Sequence, residues 1–322
     1  MSFFDLTYSL LNYFKGILLI NTHKFTLAGC LAILLWSTIV GLIRNVAEQL
    51  GPIGGAAMIY TVSSVFLLIV LGAPKLKSFP PRYLLIGGGL FISYEICLSL
   101  ALGMANDRTQ AVEMGVINYL WPSLTVLLAV FISDKPVNKL LYPAIALSFF
   151  GVAWTVGGDD GISISQLSSN IATNPASYSM AFVGAFIWAL YCNVTKKLAN
   201  GMNGITWFFI GTAIVLWIKY LISNEPTMVF TTEATFDLLL AGIVMGSGYA
   251  LWNIGIIGGN MVFLATLSYF TPILSTFFSA MILDIELTTK FWEGVVMVTI
   301  ASLICWWLTR EKSVIKTQVE SS

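Results

Sequence analysis

Glu95 sits near the middle of an apolar stretch, residues 83–105, that is long enough to cross a bilayer. An acidic side chain at that depth costs about 2.5–3.5 kcal/mol on insertion scales, so it has to face water or the interior of a helix bundle. Three kinds of chemistry are open to it: a counter-charge for a substrate ammonium, a proton-sensitive switch, or a hydrogen-bonding group that holds two helices together. Glu113 lies only a turn into the next apolar stretch and is expected to be solvated. Aromatic and amide side chains stand at similar depth in other stretches: Tyr94 beside Glu95, then Asn118, Tyr119 and Trp121, then Trp188, then Tyr249, Trp252 and Asn253, and finally Tyr269. Tyr and Trp ordinarily collect at membrane surfaces. Their presence near mid-span has two readings, core packing or a cavity in which each ring stacked on a flat ligand adds about 0.5–1.5 kcal/mol.

Other chemistries find no support. The chain has no G-x-x-x-x-G-K-[ST] phosphate loop, no H-E-x-x-H and no G-x-S-x-G. Its one histidine, His23, precedes the first long apolar run. ATP use, a histidine-bound metal and a histidine relay are disfavoured, and no catalytic residue, metal site or cofactor is expected. An intramembrane enzyme would need a convergent acid/base or metal cluster that the bundle centre lacks. A non-transporting scaffold would have no use for the pattern described next.

The run from Asn118 to Asp134 returns 150 residues later as Ser268 to Asp284, with identities at Tyr119/Tyr269, Pro122/Pro272, Leu124/Leu274, Ile132/Ile282 and Asp134/Asp284. A proline inside a helix cannot donate to the carbonyl four residues back, so Pro122 frees that of Asn118 and Pro272 that of Ser268, and each is expected to kink its helix. In lipid a freed carbonyl is tolerated where other helices satisfy it or where it lines a water-filled cavity. Pro122 and Pro272 are therefore candidate hinges. Trp36 and Trp188 form a second corresponding pair.

Hydrophobic residues make up 57% of the 322 and charged residues 10%, too little polar surface to cover a soluble globule. The chain reads as an all-α polytopic membrane protein. Ten spans are predicted, at 25–43, 54–72, 83–105, 109–132, 138–156, 177–199, 203–223, 235–257, 261–283 and 290–309. They divide into two five-helix repeats, 25–156 and 177–309, joined by a polar loop, 157–176. Residues 1–24 read as an amphipathic or dispensable extension and 310–322 as a tail. Five is odd, so the second repeat enters the membrane from the side opposite to the first. Inverted repeats with interrupted helices around a central cavity are the sequence pointer to a secondary transporter. Of the 16 basic residues all but Arg44, Arg108, Lys219 and Lys290 fall on one side, which places both termini in the cytoplasm. Zero net charge gives no hint of a nucleic-acid partner, and Cys30, Cys97, Cys192 and Cys305 lie in apolar runs where they pack as small hydrophobes.

Six segments carry a resemblance: Leu35 to Arg44, Gly51 to Ala57, Ser93 to Leu98, Asn118 to Thr125, Gly184 to Trp188 and Ser268 to Pro272. Together they resemble the EamA branch of the drug/metabolite transporter superfamily, within it the exporters of aromatic amino acids, over roughly residues 25–310. The resemblance implies a ten-helix inner-membrane protein that passes phenylalanine, tyrosine and tryptophan out of a bacterial cell by alternating access. It also implies that Tyr94, Trp121 and Trp188 line the cavity; Asn118, Tyr249, Trp252, Asn253 and Tyr269 rest on spacing alone. The expected partners are a small aromatic substrate and the lipid bilayer, with the chain acting as a monomer. An exporter of another flat or amphipathic metabolite, or of a cationic drug, is the nearest alternative.

Overall fold

Proline, glycine and a few polar caps set where the apolar runs begin and end as helices. The computed structural model describes residues 3–132, 138–157, 164–200, 202–258, 264 and 267–309, and among these every regular element is helical. In order they are α1 (Phe3–Leu50), α2 (Pro52–Leu71), α3 (Gly88–Gly103), α4 (Arg108–Asn118), α5 (Trp121–Ile132), α6 (Leu141–Gly157), α7 (Ile164–Thr173), α8 (Pro175–Leu198), α9 (Ile205–Ile222), α10 (Thr232–Gly258), α11 (Thr271–Leu283) and α12 (Thr289–Thr309). Pro52 and Pro175 open α2 and α8 from the first turn, where a missing N–H costs nothing. Asp107 caps α4 by accepting from the Gln110 N–H at 2.7 Å. The α2 N-terminus is capped across the bundle: the Glu225 carboxylate accepts from the N–H groups of Ile53 and Gly54 at 2.9 and 2.7 Å, a negative charge on the positive end of the helix dipole.

Among the described residues eight helical segments are long and apolar enough to cross a membrane, and α6 and α11 are shorter apolar helices. Side chains such as Ile69, Leu85 and Ile222 are almost fully exposed on the outside of the bundle, which suits lipid and not water. Inside, helices from one half of the sequence pack mainly on helices from the other. Thus α1 lies against α10 and α11, α2 against α9 and α10, α3 against α8 and α9, and α6 against α12. Small residues allow the closest crossings. A Cβ on Gly242 of α10 would lie 2.5 Å from the Val62 side chain of α2. At the α6–α12 crossing a Cβ on Gly151 would lie 2.8 Å from the Gly294 carbonyl, and one on Gly294 would lie 2.6 Å from the Gly151 carbonyl. Neither position accepts a larger residue without moving backbone.

Four features differ from the sequence reading. No break falls at residue 24 or Ile43: α1 runs unbroken from Phe3 to Leu50, because the polar residues of its last turns all find partners inside the protein. The polar connection 157–176 contains a helix, α7, whose Ile164, Leu167 and Ile171 recur at helical spacing and whose Leu167 packs on the core. The fourth span is broken and not merely kinked: α4 stops at Asn118, Tyr119 and Leu120 form a turn, and α5 starts at Trp121 with Pro122 in its first turn. Tyr269 and Phe270 form the equivalent turn before α11, which opens with Thr271 and Pro272. Each proline therefore begins a helix, the position at which its ring and missing donor are tolerated. Asp134, Asp159, Asp160, the Met261 start of the ninth span and the tail 310–322 lie outside the described residues.

Candidate functional site

A cavity of about 240 Å³ lies where α1, α3, the α4–α5 break, α8, α10 and the start of α11 converge. It falls just under the roughly 300 Å³ at which pockets for drug-sized ligands begin, so its proper guest is a small molecule. Glu95 is at its wall and only 1% exposed. Both carboxyl oxygens accept hydrogen bonds from tyrosine hydroxyls, Oε2 from Tyr60 at 2.5 Å and Oε1 from Tyr249 at 2.6 Å. The Tyr60 hydroxyl also lies 3.2 Å from Ser99 Oγ, one helical turn beyond Glu95. Glu95 thus joins α2, α3 and α10 through one buried polar cluster. The carboxylate borders the cavity while making these helix-to-helix bonds, an arrangement compatible with all three chemistries open to it.

The rest of the wall is aromatic. Trp188 of α8 lies 4.4 Å from the Tyr94 ring and is stacked on Tyr191 at 4.9 Å, while Trp121 meets its edge at 6.4 Å. On the opposite side Trp36 of α1 contacts Tyr249 at 5.2 Å and Trp252 at 5.0 Å. Trp36 is held there by Gly248, where a Cβ would lie 2.7 Å from the indole. Asn118 ends α4 and donates through Nδ2 to the Tyr94 hydroxyl at 3.3 Å. Its Oδ1 is buried and without a partner, as is Trp36 Nε1. Among the described residues no Lys, Arg or His lines the cavity, and the charged-type side chain on its wall is a carboxylate.

Of the residues singled out from sequence, Tyr94, Glu95, Asn118, Tyr119, Trp121, Trp188, Tyr249 and Trp252 are brought to this cavity. The Asn253 side chain lies outside the described residues. Tyr269 does not line the cavity; its ring faces Trp306 of α12 at 6.4 Å. Glu113 is half-buried and accepts from the Tyr178 hydroxyl at 2.5 Å, which corrects its expected solvation. Two residues were missed. Trp36 carried a signal in its correspondence with Trp188, whereas Tyr60, in a helix without a charged residue, carried none. Among the described residues no group of three His, Cys, Asp or Glu could hold a metal.

Beyond the cavity, towards the C-terminal end of α1, the two halves are tied by polar contacts. Arg44 is buried and donates to the Ala105 carbonyl at 2.6 Å at the end of α3, and pairs with Glu48 at 2.8 Å. Glu48 also binds Arg108 at 2.8 Å, and Arg108 donates to the Leu283 carbonyl at the end of α11 at 2.6 Å. Asn45 and Gln49 both donate to Asp237 of α10, at 2.9 and 2.6 Å. With Ile43, Val46, Leu102 and Met114 almost fully buried, this end of the bundle is sealed.

Comparison with known proteins gives consistent findings. The profile of the EamA-like transporter family matches twice, over residues 23–157 and 176–307. The chain is 48% identical over 292 residues to a protein of Salmonella typhimurium named aromatic amino acid exporter YddG, covering 91% of this chain and all of that one. A protein of the same name from Escherichia coli K12 is 48% identical over 288 residues, covering 89% and 98%. One from Ancylobacter novellus is 27% identical over 261 residues, covering 78% and 86%. A solved structure shares the fold at a TM-score of 0.62 and 22% identity, over 93% of this chain and 99% of that one.

Proposed function

The chain belongs to the EamA-like transporter family, and from that premise we propose that it exports aromatic amino acids across the bacterial inner membrane by alternating access through the central cavity. The observation that carries this reading is the composition of the cavity wall: among the described residues it has seven aromatic rings, one buried carboxylate and no Lys, Arg or His. Rings of this kind bind a flat apolar side chain by burial and stacking, and a buried negative charge in a low-dielectric wall favours an ammonium over a carboxylate. Tyr94, Trp121, Trp188, Tyr249 and Trp252 take the aromatic side chain, with Tyr119 at the helix break beside them. The names of the relatives at 48% identity support the same substrate class.

Ten spans in two inverted repeats, acting as a monomer, accompany this reading. The twofold match of the family profile supports the duplication, and the side of the membrane that collects basic residues is the cytoplasm. On that orientation the sealed end faces outward, and transport opens it while closing the cytoplasmic end. The turns before Pro122 and Pro272 are the pivots, because the helix is already interrupted there and each proline lacks an N–H, so bending breaks fewer helical hydrogen bonds than it would in a continuous helix. Counterflow of labelled phenylalanine in liposomes, competed by a panel of amino acids and aromatic amines, tests the proposal. Exchange competed by tyrosine and tryptophan is expected. Exchange competed only by aromatic amines would establish the cationic-compound alternative, and no exchange would refute both.

A further inference from the structure

The nearest carboxylate to a bound amino acid is already engaged at both oxygens, by Tyr60 and Tyr249. A different group on the same wall is not. Asn118 is 6% exposed, its Nδ2 is oriented by the Tyr94 hydroxyl, and its Oδ1 is an acceptor with no partner. A buried acceptor left unbonded is costly, and this one, on a residue that lines the cavity, is satisfied when its amide turns to meet a donor that the ligand brings. Two features of the backbone add to it. Asn118 is the last residue of α4, so the negative end of that helix dipole lies at the cavity. Pro122 has no N–H, so the Asn118 carbonyl lacks the donor that a continuous helix would supply four residues later.

Resting on the export reading above, we propose that Asn118 is the specificity-determining residue for the substrate's α-ammonium. The ammonium donates to Asn118 Oδ1 at the broken end of α4 while the side-chain ring occupies the aromatic pocket between Tyr94, Trp121 and Trp188. Glu95 contributes its charge from behind its tyrosines. The arrangement selects zwitterions and amines over aromatic acids of the same size.

The test is the binding of phenylalanine, phenethylamine and 3-phenylpropionate to the purified full chain, followed by tryptophan fluorescence. The wild type is expected to bind phenylalanine roughly ten- to one-hundred-fold more tightly than 3-phenylpropionate, the range for a hydrogen bond to a charged group. Asn118→Leu is expected to reduce that preference to about two-fold by weakening phenylalanine and phenethylamine while leaving 3-phenylpropionate unchanged. Asn118→Asp keeps the acceptor and adds charge, so the preference is expected to hold or rise; it also serves where the leucine variant fails to fold. The inference is overturned by a wild type that does not prefer phenylalanine, by an Asn118→Leu preference equal to wild type, by equal weakening of all three compounds, or by a fall in Asn118→Asp. A wild type that binds none of the three refutes the export reading itself, and the ammonium subsite with it.

Discussion

Removing the Tyr249 hydroxyl takes one donor to Glu95 out of the buried cluster. In Tyr249→Phe the ring keeps its contacts with Phe209 at 5.1 Å, Trp36 at 5.2 Å and Phe91 at 5.8 Å, so packing is preserved. What is lost is the donor to Glu95 Oε1, on a carboxyl only 1% exposed. A hydrogen bond to a charged group contributes about 1.5–3 kcal/mol. At about 2–4 °C per kcal/mol, the melting temperature of the purified protein should fall by about 3–12 °C. Tyr60→Phe should cost at least as much, because Ser99 loses a neighbour together with Oε2. The decisive member of the series is the triple variant Tyr60→Phe, Glu95→Leu, Tyr249→Phe. Replacing every partner of a polar cluster by apolar groups of similar shape is nearly neutral. The triple variant should therefore recover to within a few degrees of wild type while phenylalanine counterflow stays lost. A single Tyr249→Phe that melts within a degree of wild type, or a triple variant no more stable than it, would refute the assignment of the cluster as the main polar brace of the core.

Four further outcomes are expected. Trp188→Ala and Trp121→Ala should each lower counterflow per folded molecule at least ten-fold; a loss in step with reduced folded yield would show instead that the rings are core packing. Gly248→Ala drives a methyl against the rigid Trp36 indole and should destabilise by about 1–3 kcal/mol, with Trp36→Phe restoring melting temperature in the double variant. Arg108→Gln removes an exposed ion pair of about 0–1 kcal/mol, yet it also cuts the bond to the Leu283 carbonyl that joins the halves. External thiol labelling at Ser268→Cys in the cavity should rise in that variant, and unchanged labelling would show that the sealed end does not open there. In a cysteine-free background Lys77→Cys should resist impermeant label in intact cells while Asp159→Cys is modified; the reverse pattern would invert the orientation.

The place of each interruption was legible, though a kink and not a break was expected, because proline is a local rule: a Tyr-x-x-Pro repeated 150 residues apart marks the same position whatever surrounds it. The outward reach of α1 was not, because Arg44, Asn45, Glu48 and Gln49 look like a loop until their partners on α3, α4 and α10 are known. The same holds for Glu113, whose partner Tyr178 is 65 residues away. The aromatic wall could be read from depth and spacing. The repeat does not place both copies alike: Tyr119 lines the cavity, whereas the Tyr269 ring faces Trp306. Tyr60 was invisible because hydropathy does not separate a tyrosine that packs from one that donates.

The reciprocal contact of α6 and α12 carries a consequence for ancestry. Each glycine meets the carbonyl of the other, and at the 150-residue offset Gly151 and Gly294 correspond to Ala301 and Ala144, again small and buried. A surface that offers the same patch to its own copy is the property of an isologous twofold interface. On the inverted-repeat proposal, two single-repeat chains of opposite orientation would meet across this crossing.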